Sequence, residues 1–536
     1  MTNIAWLLES AAREAPDNLA VVGPNENEYT YEEFNSLTSQ IGNLLREEYD
    51  IDDGDVISGF MPASEWTQAV MFGVPKAGGI ITLENHTLPY EILRDNVENS
   101  KAKVVIADKR VFDEAEQLVK DVDSIEHLVW SGEGGAPLLQ EAVTDYSTEL
   151  YPTPKKRDEV AIINYTAGTT GSPKGAMQTH GMLQSSVRAD CDAYRGLTPE
   201  DSLVLFTPIY HIGGITSALY AVGCKGTHII PGGWDPQRVR ELTQKYNPTW
   251  YTYFPPTMIR DMMNQDWWDD VNLSGIKTLA GGGPLTPDLQ QALQEKGMRV
   301  SGGLAMTEAT PISASPIAQD KDLQMPPGSV GKPLDELIEA KLVDITTGEE
   351  ITDPNEEGEL CIRGDHVTPG YYNDPDRTDQ AFDNDGWFHT DDMGYFDEDG
   401  YLFITGRADD MILSGAEKLS LVEVDDALLK SELIDDGGTV GVPHERFGTV
   451  PAALVVPHNS NITEEEIADK LDKHMKDNLA DWQRPRLYTI VDEIPRTPAK
   501  QTKISPKLEE KLPEWVEVPQ DVSFTTLSKL REERDE

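Results

Sequence analysis

From residue 100 to 300 short apolar runs alternate with amphipathic stretches. "AKVVIAD", "EVAIINYT" and "SLVLFTP" are dense in Val, Ile, Leu and aromatic residues, and segments of helical periodicity separate them. Continuous apolar runs bounded by polar turns predict strands covered on both faces, and their alternation with helices predicts mostly parallel sheets. Residues 4–60 follow the same rhythm, with "EYTYEEFNSLTSQIGNLLREEY" reading as a short strand followed by an amphipathic helix. Between 328 and 405 the texture changes to short strands and turns, as in "GELCIRGDHV" and "GWFHTDDMGYFDEDGYLFITG", which predicts a β-rich subdomain. After "GRADDMIL" a compact α+β pattern returns, with "LSLVEVDDALLKS" as a helix and "GTVPAALVVPH" as a strand. The expected fold class is multidomain α/β. A large N-terminal domain, 1–407, would hold two helix-covered β-sheet subdomains and the β-rich subdomain. A small α+β domain, 408–515, would follow, then a charged tail, 516–536, expected to fray. Gly406 and the charges after it place the main boundary near 407–410.

Length and composition agree with several packed units. The chain has 536 residues, more than one core supports, and 38% of them are hydrophobic. It has no internal repeat or low-complexity block. "MTNIAWLLESAAREAPDN" lacks the basic start and long apolar run of a secretion signal, and no apolar stretch approaches the roughly 18–20 residues that cross a bilayer. A soluble, cytoplasmic protein is expected. Cys191, Cys224 and Cys361 are far apart, so reduced, apolar cysteines are expected, and the ten histidines show no metal-binding spacing. No structural zinc is expected.

Charge changes the picture more. Asp and Glu number 95 against 45 Lys and Arg, a net charge of −50, and the acids are spread along the whole chain. An acidic tail that recruits basic partners would be blocky. A diffuse acidic coat predicts a medium of molar salt, where the Debye length falls to about 3 Å and self-repulsion is screened. The charge disfavours nucleic acid as a partner, because its phosphates require facing Lys and Arg, and none is expected.

Candidate chemistry centres on residues 165–177, "YTAGTTGSPKGAM". The loop follows directly on the strand-like "VAIINYT". Gly168, Gly171 and Gly175 leave backbone amides uncovered, Thr166, Thr169, Thr170 and Ser172 add hydroxyl donors, and Lys174 adds a point charge. Donors converging after a strand suit an oxyanion-rich ligand such as a polyphosphate. The loop is not a Walker A motif: the glycine spacing differs, and Gly175 stands where a magnesium-binding Ser or Thr would follow the lysine.

"YTAGTTGSPKG" resembles the phosphate-loop signature of the AMP-forming adenylating enzymes, the superfamily of acyl-CoA synthetases, luciferase relatives and peptide-synthetase adenylation domains. The likeness extends in family order from "YTYEEF" at 29–34 to "PRTPAKQTKI" at 495–504. It implies an ATP-dependent, AMP-forming carboxylate–CoA ligase for a fatty or other hydrophobic acid. Such an enzyme makes an acyl-adenylate and then a thioester, with ATP, Mg²⁺ and coenzyme A as cofactor and co-substrates. Transfer to a carrier-protein thiol and a catalytically impaired homologue are the alternatives, and oligomeric state is left open.

The resemblance carries over residue by residue. Thr307 and Glu308, in "GLAMTEAT", match the family's Thr near the α-phosphate and the Glu that holds Mg²⁺. "AGGGPL" matches the segment along which adenine lies, with Gly281, Gly282 and Gly283. "HTDDMG" matches the ribose motif, with Asp392 as its acid and Asp391 replacing a usual glycine; Arg407 of "GRADD" adds a ribose or phosphate contact. "TPIYHIGG" places His211 at the acyl carboxylate, and residues near 208–214, 255–257 and 303–308 would shape the acyl pocket. Asp409 matches the hinge of a mobile C-terminal domain, and Gly415, in "LSGAEKLSLVEVD", the pantetheine-facing segment. The family's P-R-T-x-x-G-K reads "PRTPAKQTKI" here, so Gln501 stands at the lysine position. "TKI" resembles the usual "GKI" with two extra residues, which makes Lys503 the adenylation lysine, with Lys500 as the alternative. Leu304 for an aromatic residue, Ala305 for a glycine, and Ala416 and Leu421 for a glycine and a proline are further departures.

Overall fold

Thr30 sets the first long helix. Its hydroxyl accepts from Glu33 N at 3.3 Å while the Glu33 carboxylate accepts from Thr30 N at 2.9 Å, a reciprocal cap on the helix Tyr31–Glu48. The apolar face of that helix, with Phe34, Leu37, Ile41, Leu44 and Leu45, is buried, as its periodicity predicts. This computed structural model describes residues 2–535 apart from 133–134, 136–137, 167–173, 195, 281–285, 315–325, 335–336, 415–416, 445–446, 460, 497–502, 504, 514–515 and 520–522.

The chain divides into two compact units. The first comprises Met1–Lys341, Cys361–His389 and Phe396–Phe403; the second comprises Leu342–Leu360, Thr390–Tyr395 and Ile404–Glu536. The chain thus passes into the second unit at 342 and 390 as well as at 404, instead of at one boundary near 407–410. The β-rich stretch forms a five-stranded sheet in the order Glu350–Ile351, Ile338–Val343, Gly358–Gly364, Phe388–Phe396, Leu402–Arg407.

Two large sheets build the first unit. One has six strands in the order His127–Trp130, Val104–Ala107, Val56–Phe60, Ile80–Leu83, Val160–Thr166, Lys174–Thr179. The first five run parallel, and Lys174–Thr179 is antiparallel to its neighbour. The other has nine strands, of which the inner six, from Arg299–Met306 through to Leu19–Val22, are parallel. One core cluster draws on both sheets, through Ile57, Ile81, Ile162, Leu203 and Trp250, and on the helices Tyr31–Glu48, Glu65–Ala77, His180–Arg188 and Ile212–Cys224. Parallel strands buried on both faces account for the unbroken apolar runs in the sequence.

In the second unit Gly448–Pro457 is the central strand, paired with Ile434–His444 on one side and Leu487–Ile490 on the other. Its side chains alternate: Ala452 and Leu454 pack with Leu487, Leu508 and Leu527, while Ala453 and Val455 pack with Val424, Leu428, Leu471 and Met475. The expected charged tail is part of this fold. Thr525–Thr526 pairs with Leu487–Tyr488, and Leu527 and Leu530, three apart on the helix Leu527–Asp535, are buried against the sheet. Charge on the other faces of that helix hid its apolar pair from the sequence reading.

Three histidines are fully buried. Burial pushes the imidazoles of His180, His228 and His366 down to about 3, 3 and 4. The unfolded chain binds protons at these positions below pH 6.5 and the folded chain refuses them, so the stability present above pH 6.5 is lost as pH falls. Each histidine contributes a slope of up to about 1.4 kcal/mol per pH unit. Urea midpoints measured at constant salt from pH 7 to 4.5 should therefore drop, and His228→Gln should flatten the drop relative to its own value at pH 7.

Candidate active site

The strand Val160–Thr166 and the strand Lys174–Thr179 form a hairpin in which Thr166 faces Lys174. The glycine loop, 167–173, lies outside the described residues, and the two polar residues that flank it, Thr166 and Lys174, are held opposite one another. Gly168, Thr169, Thr170 and Gly171 lie outside the described residues, as do Gly281, Gly282, Gly283 and Gly415. Gly175 is needed for space and not for a positive φ: in its extended strand a Cβ would lie 2.8 Å from Ile163 Cγ2 and 2.9 Å from Tyr165 Cε1.

The other edge of Lys174–Thr179 is occupied by residues 367–372. Met177 N donates to Gly370 O at 3.0 Å, Tyr372 N to Gly175 O at 2.8 Å, and Thr368 Oγ1 to Met177 O at 2.8 Å. The same segment holds Thr307 and Glu308, which form the turn between the antiparallel strands Arg299–Met306 and Ala309–Ala314. Thr368 N donates to Glu308 O at 2.7 Å, Val367 bridges Ala309, and Gln178 Nε2 donates to Thr307 O at 2.5 Å. The Glu308 side chain is buried, and Tyr371 OH donates to its Oε1 at 2.9 Å. Thr166, Lys174, Thr307 and Glu308 are thus brought together by the pairings of one strand. Gln178, Thr368 and Tyr371 escaped the sequence reading, because pairing across such long separations leaves no local signal.

His211 joins this group through the Val160–Thr166 strand. It precedes the helix Ile212–Cys224, and its carbonyl accepts from Gly214 N and Ile215 N at 2.9 and 3.1 Å. Asn164 Nδ2, two residues before Thr166, donates to Tyr210 O at 3.1 Å and fixes the approach to the helix. The Tyr210 ring meets His211 edge-on at 4.8 Å between centroids and His86 at 5.4 Å. Gly214 is obligatory for packing, since a Cβ there would lie 2.4 Å from Pro208 O.

In the second unit Arg407 bridges two acids: Nη1 donates to Asp392 Oδ1 at 3.0 Å and Nη2 to Asp391 Oδ2 at 3.2 Å. Asp391 has φ +58, the left-handed region, which gives a physical reason for the glycine the motif usually carries there. Asp409 lies in the short turn Ala408–Asp410 that follows the strand Leu402–Arg407. Lys503 is buried, its ammonium donating to Asp425 Oδ2 and to Thr439 O, both at 2.7 Å. Burial raises the Asp425 carboxyl, and the adjacent Lys503 opposes the rise.

The family model described as "AMP-binding enzyme" matches residues 8–372, and the one described as "AMP-binding enzyme C-terminal domain" matches 423–501. The chain belongs to the AMP-binding enzyme family. It is an AMP-forming acid–thiol ligase. Among its relatives, it is 31% identical over 509 residues to an oxalate–CoA ligase of Arabidopsis thaliana, covering 92% of this chain and 96% of that protein. It is 30% identical over 535 residues to a putative acyl-CoA synthetase of Bacillus subtilis, covering 92% and 94%. The ATP-bound structure of MatB from Rhodopseudomonas palustris superposes with a TM-score of 0.80 at 25% identity, covering 95% of the ligase and 99% of that chain. The C-terminal family match ends at Gln501, so Lys500 falls inside it and Lys503 two residues beyond. No helix among the described residues of the ligase is long and apolar enough to cross a membrane.

The Tyr371–Glu308 bond yields a prediction. Tyr371→Phe leaves the turn's backbone anchors in place and removes the hydroxyl that orients the carboxylate. The net worth of one hydrogen bond, about 1 kcal/mol, corresponds to a loss of roughly fivefold in adenylation. Initial rates of acid-dependent AMP release by the variant and the unaltered chain check it.

Proposed function

We propose that this ligase activates a carboxylic acid of hydrophobic character with ATP and transfers the acyl group from the acyl-adenylate to coenzyme A. The observation that carries this reading is the placement of Thr166 and Lys174 at the ends of the glycine loop, on the strand whose other edge holds the Thr307–Glu308 turn. Carboxylate attack on the α-phosphate brings two anions together, so catalysis depends on alignment and on donors placed where charge develops. In this reading Lys174, Thr166 and the loop amides grip the triphosphate. Thr307 contacts the α-phosphate, and His211 stands at the acyl carboxylate. Asp392 accepts from the ribose hydroxyls, with Arg407 beside it, while Gly281–Gly283 line adenine and Gly415 lines pantetheine. Asp409 is the hinge, and a lysine of "PRTPAKQTKI" brings the remaining positive charge.

Glu308 suits a hard cation. Tyr371 takes Oε1, and among the described residues no hydrogen bond reaches Oε2, which leaves one carboxylate oxygen as a ligand of the kind Mg²⁺ binds beside phosphates. Bound there, Mg²⁺ would neutralise phosphate charge. The hydrophobic substrate is supported by half-exposed apolar residues: Ile212 beside His211 in the sequence, Leu304, Ala305 and Met306 before Thr307, and Pro255 and Pro256 in a third segment.

The test is pyrophosphate and AMP release by the full chain in molar KCl with ATP, Mg²⁺, coenzyme A and acids of graded length. Release should be greatest with apolar acids, and silence with every acid would overturn the reading. An acid that yields adenylate without a coenzyme A thioester would point to a carrier-protein acceptor. Lys174→Ala should slow adenylation at least tenfold, about 1.4 kcal/mol of barrier. ATP approaches a surface of net charge −50, so its KM should fall as KCl rises from dilute to molar. A flat profile would contradict the salt-adapted reading.

A further inference from the structure

Arg496 and Lys503 face each other across an antiparallel bridge, and both reach the strand Ile434–His444. Arg496 Nη2 donates to Asp436 Oδ1 at 2.5 Å and to Gly437 O at 3.2 Å, and Nε donates to Asp436 Oδ2 at 3.1 Å. Lys503 crosses the next residue of that strand, Gly438, where a Cβ would come 2.9 Å from Lys503 Cδ. Its ammonium then donates to Thr439 O and Asp425 Oδ2 and lies 3.6 Å from Asp410 Oδ1. Asp425 also accepts from Thr439 N at 2.6 Å and Thr439 Oγ1 at 2.7 Å, and Asp410 from Ser505 Oγ at 2.9 Å. The Lys503 side chain is 7% exposed, against 15% for Asp425 and 16% for Asp410. Its position between these two acids fits a structural counter-ion better than a cation that must reach a nucleotide.

The first unit uses lysine in the same way. Lys76 is buried, donates to Asn35 Oδ1 at 2.7 Å and Ser39 Oγ at 2.8 Å, and lies 3.6 Å from Glu9. Lys155 is buried against Asp53 and lies 3.6 Å from Glu159. In so acidic a chain a scarce lysine serves packing as readily as catalysis.

We propose that Lys503 is a positioning residue: by neutralising Asp425 and Asp410 it holds its bridge to Arg496 and the turn beside Asp409 in place, and it does not carry the adenylation charge. The proposal rests on the adenylation reading above. The adenylation cation must then be another residue, and Lys500, inside the family match and outside the described residues, is the one to test.

The experiment uses the full chain in molar KCl and reads two quantities, the thermal midpoint and acid-dependent ATP–pyrophosphate exchange. Lys503→Met should lower both, because it leaves two acids facing each other without a cation. Adding Asp425→Asn should restore the midpoint and return exchange to within about threefold of Asp425→Asn alone. A methionine cannot replace an ammonium that must reach a phosphate. A double variant with a restored midpoint but exchange still more than tenfold down would therefore overturn the proposal. So would a midpoint that Asp425→Asn fails to raise. Lys500→Met should cut exchange at least tenfold at an unchanged midpoint, and full exchange in that variant would overturn the assignment to Lys500. If the unaltered chain shows no exchange with any acid, adenylation fails as the activity, and the midpoints alone still decide whether Lys503 is the counter-ion.

Discussion

Tyr372 N reaches Gly175 O on one edge of the Lys174–Thr179 strand, and Thr166 faces Lys174 across the other. A glycine-rich loop gains little from its donors unless its ends are held, because a free hairpin end frays and the ordering cost falls on ligand binding. Here both ends belong to strands, and the strand that carries the lysine is hydrogen-bonded on both sides. The segment that supplies the second edge also sends Tyr371 to the Glu308 carboxylate and Thr368 N to the Glu308 carbonyl. Register along one strand therefore fixes the lysine, the threonine and the acid together. A slip by one residue would turn Lys174 to the opposite face and uncouple it from Thr166.

What was legible in the sequence was what is encoded locally. "VAIINYT" and "AKVVIAD" announce buried parallel strands because both faces are apolar, and the periodicity of "EYTYEEFNSLTSQIGNLLREEY" announces the first long helix. "KGAMQT" shows no alternation and has low strand propensity, yet residues 174–179 form the strand on which the site depends, because partners on both edges impose it. The partners on one of those edges, residues 367–372, lie far away in sequence and include Pro369 and Gly370, residues that argue against a strand in isolation. The C-terminal helix was obscured for the opposite reason. Its charged faces dominate the local composition, and the two leucines that dock it are too few to declare a period on their own.

The order of the motifs along the chain carried the family. Their individual geometry was less accessible. The substitution of Asp391 for a glycine looks like one more acid in an acidic coat until its φ of +58 shows that the position demands a left-handed backbone, which aspartate tolerates better than most residues. Its carboxylate then shares Arg407 with Asp392. A substitution that looks neutral in sequence thus adds a second negative charge beside Asp392 and draws the arginine between them.

Charge scarcity invites the inference that every lysine near a motif is functional. The buried lysines argue otherwise. A chain with 95 acids cannot keep all of them at the surface, and each acid drawn inward needs a cation or a set of donors to offset its desolvation. Lys76, Lys155 and Lys503 meet that need, each next to an acid on a different element. Lys174 differs, standing half-buried where its strand begins, opposite Thr166. The partners of the ammonium, and not its place in a motif, separate the two uses. By that criterion Arg496 and Lys503 form a matched pair at the two ends of a six-residue connection, both bound to Ile434–His444. Anchoring the two ends of a connection lowers the entropy that any group carried on it would lose on being ordered, so the value of such a buried cation lies in what it holds and not in what it reaches.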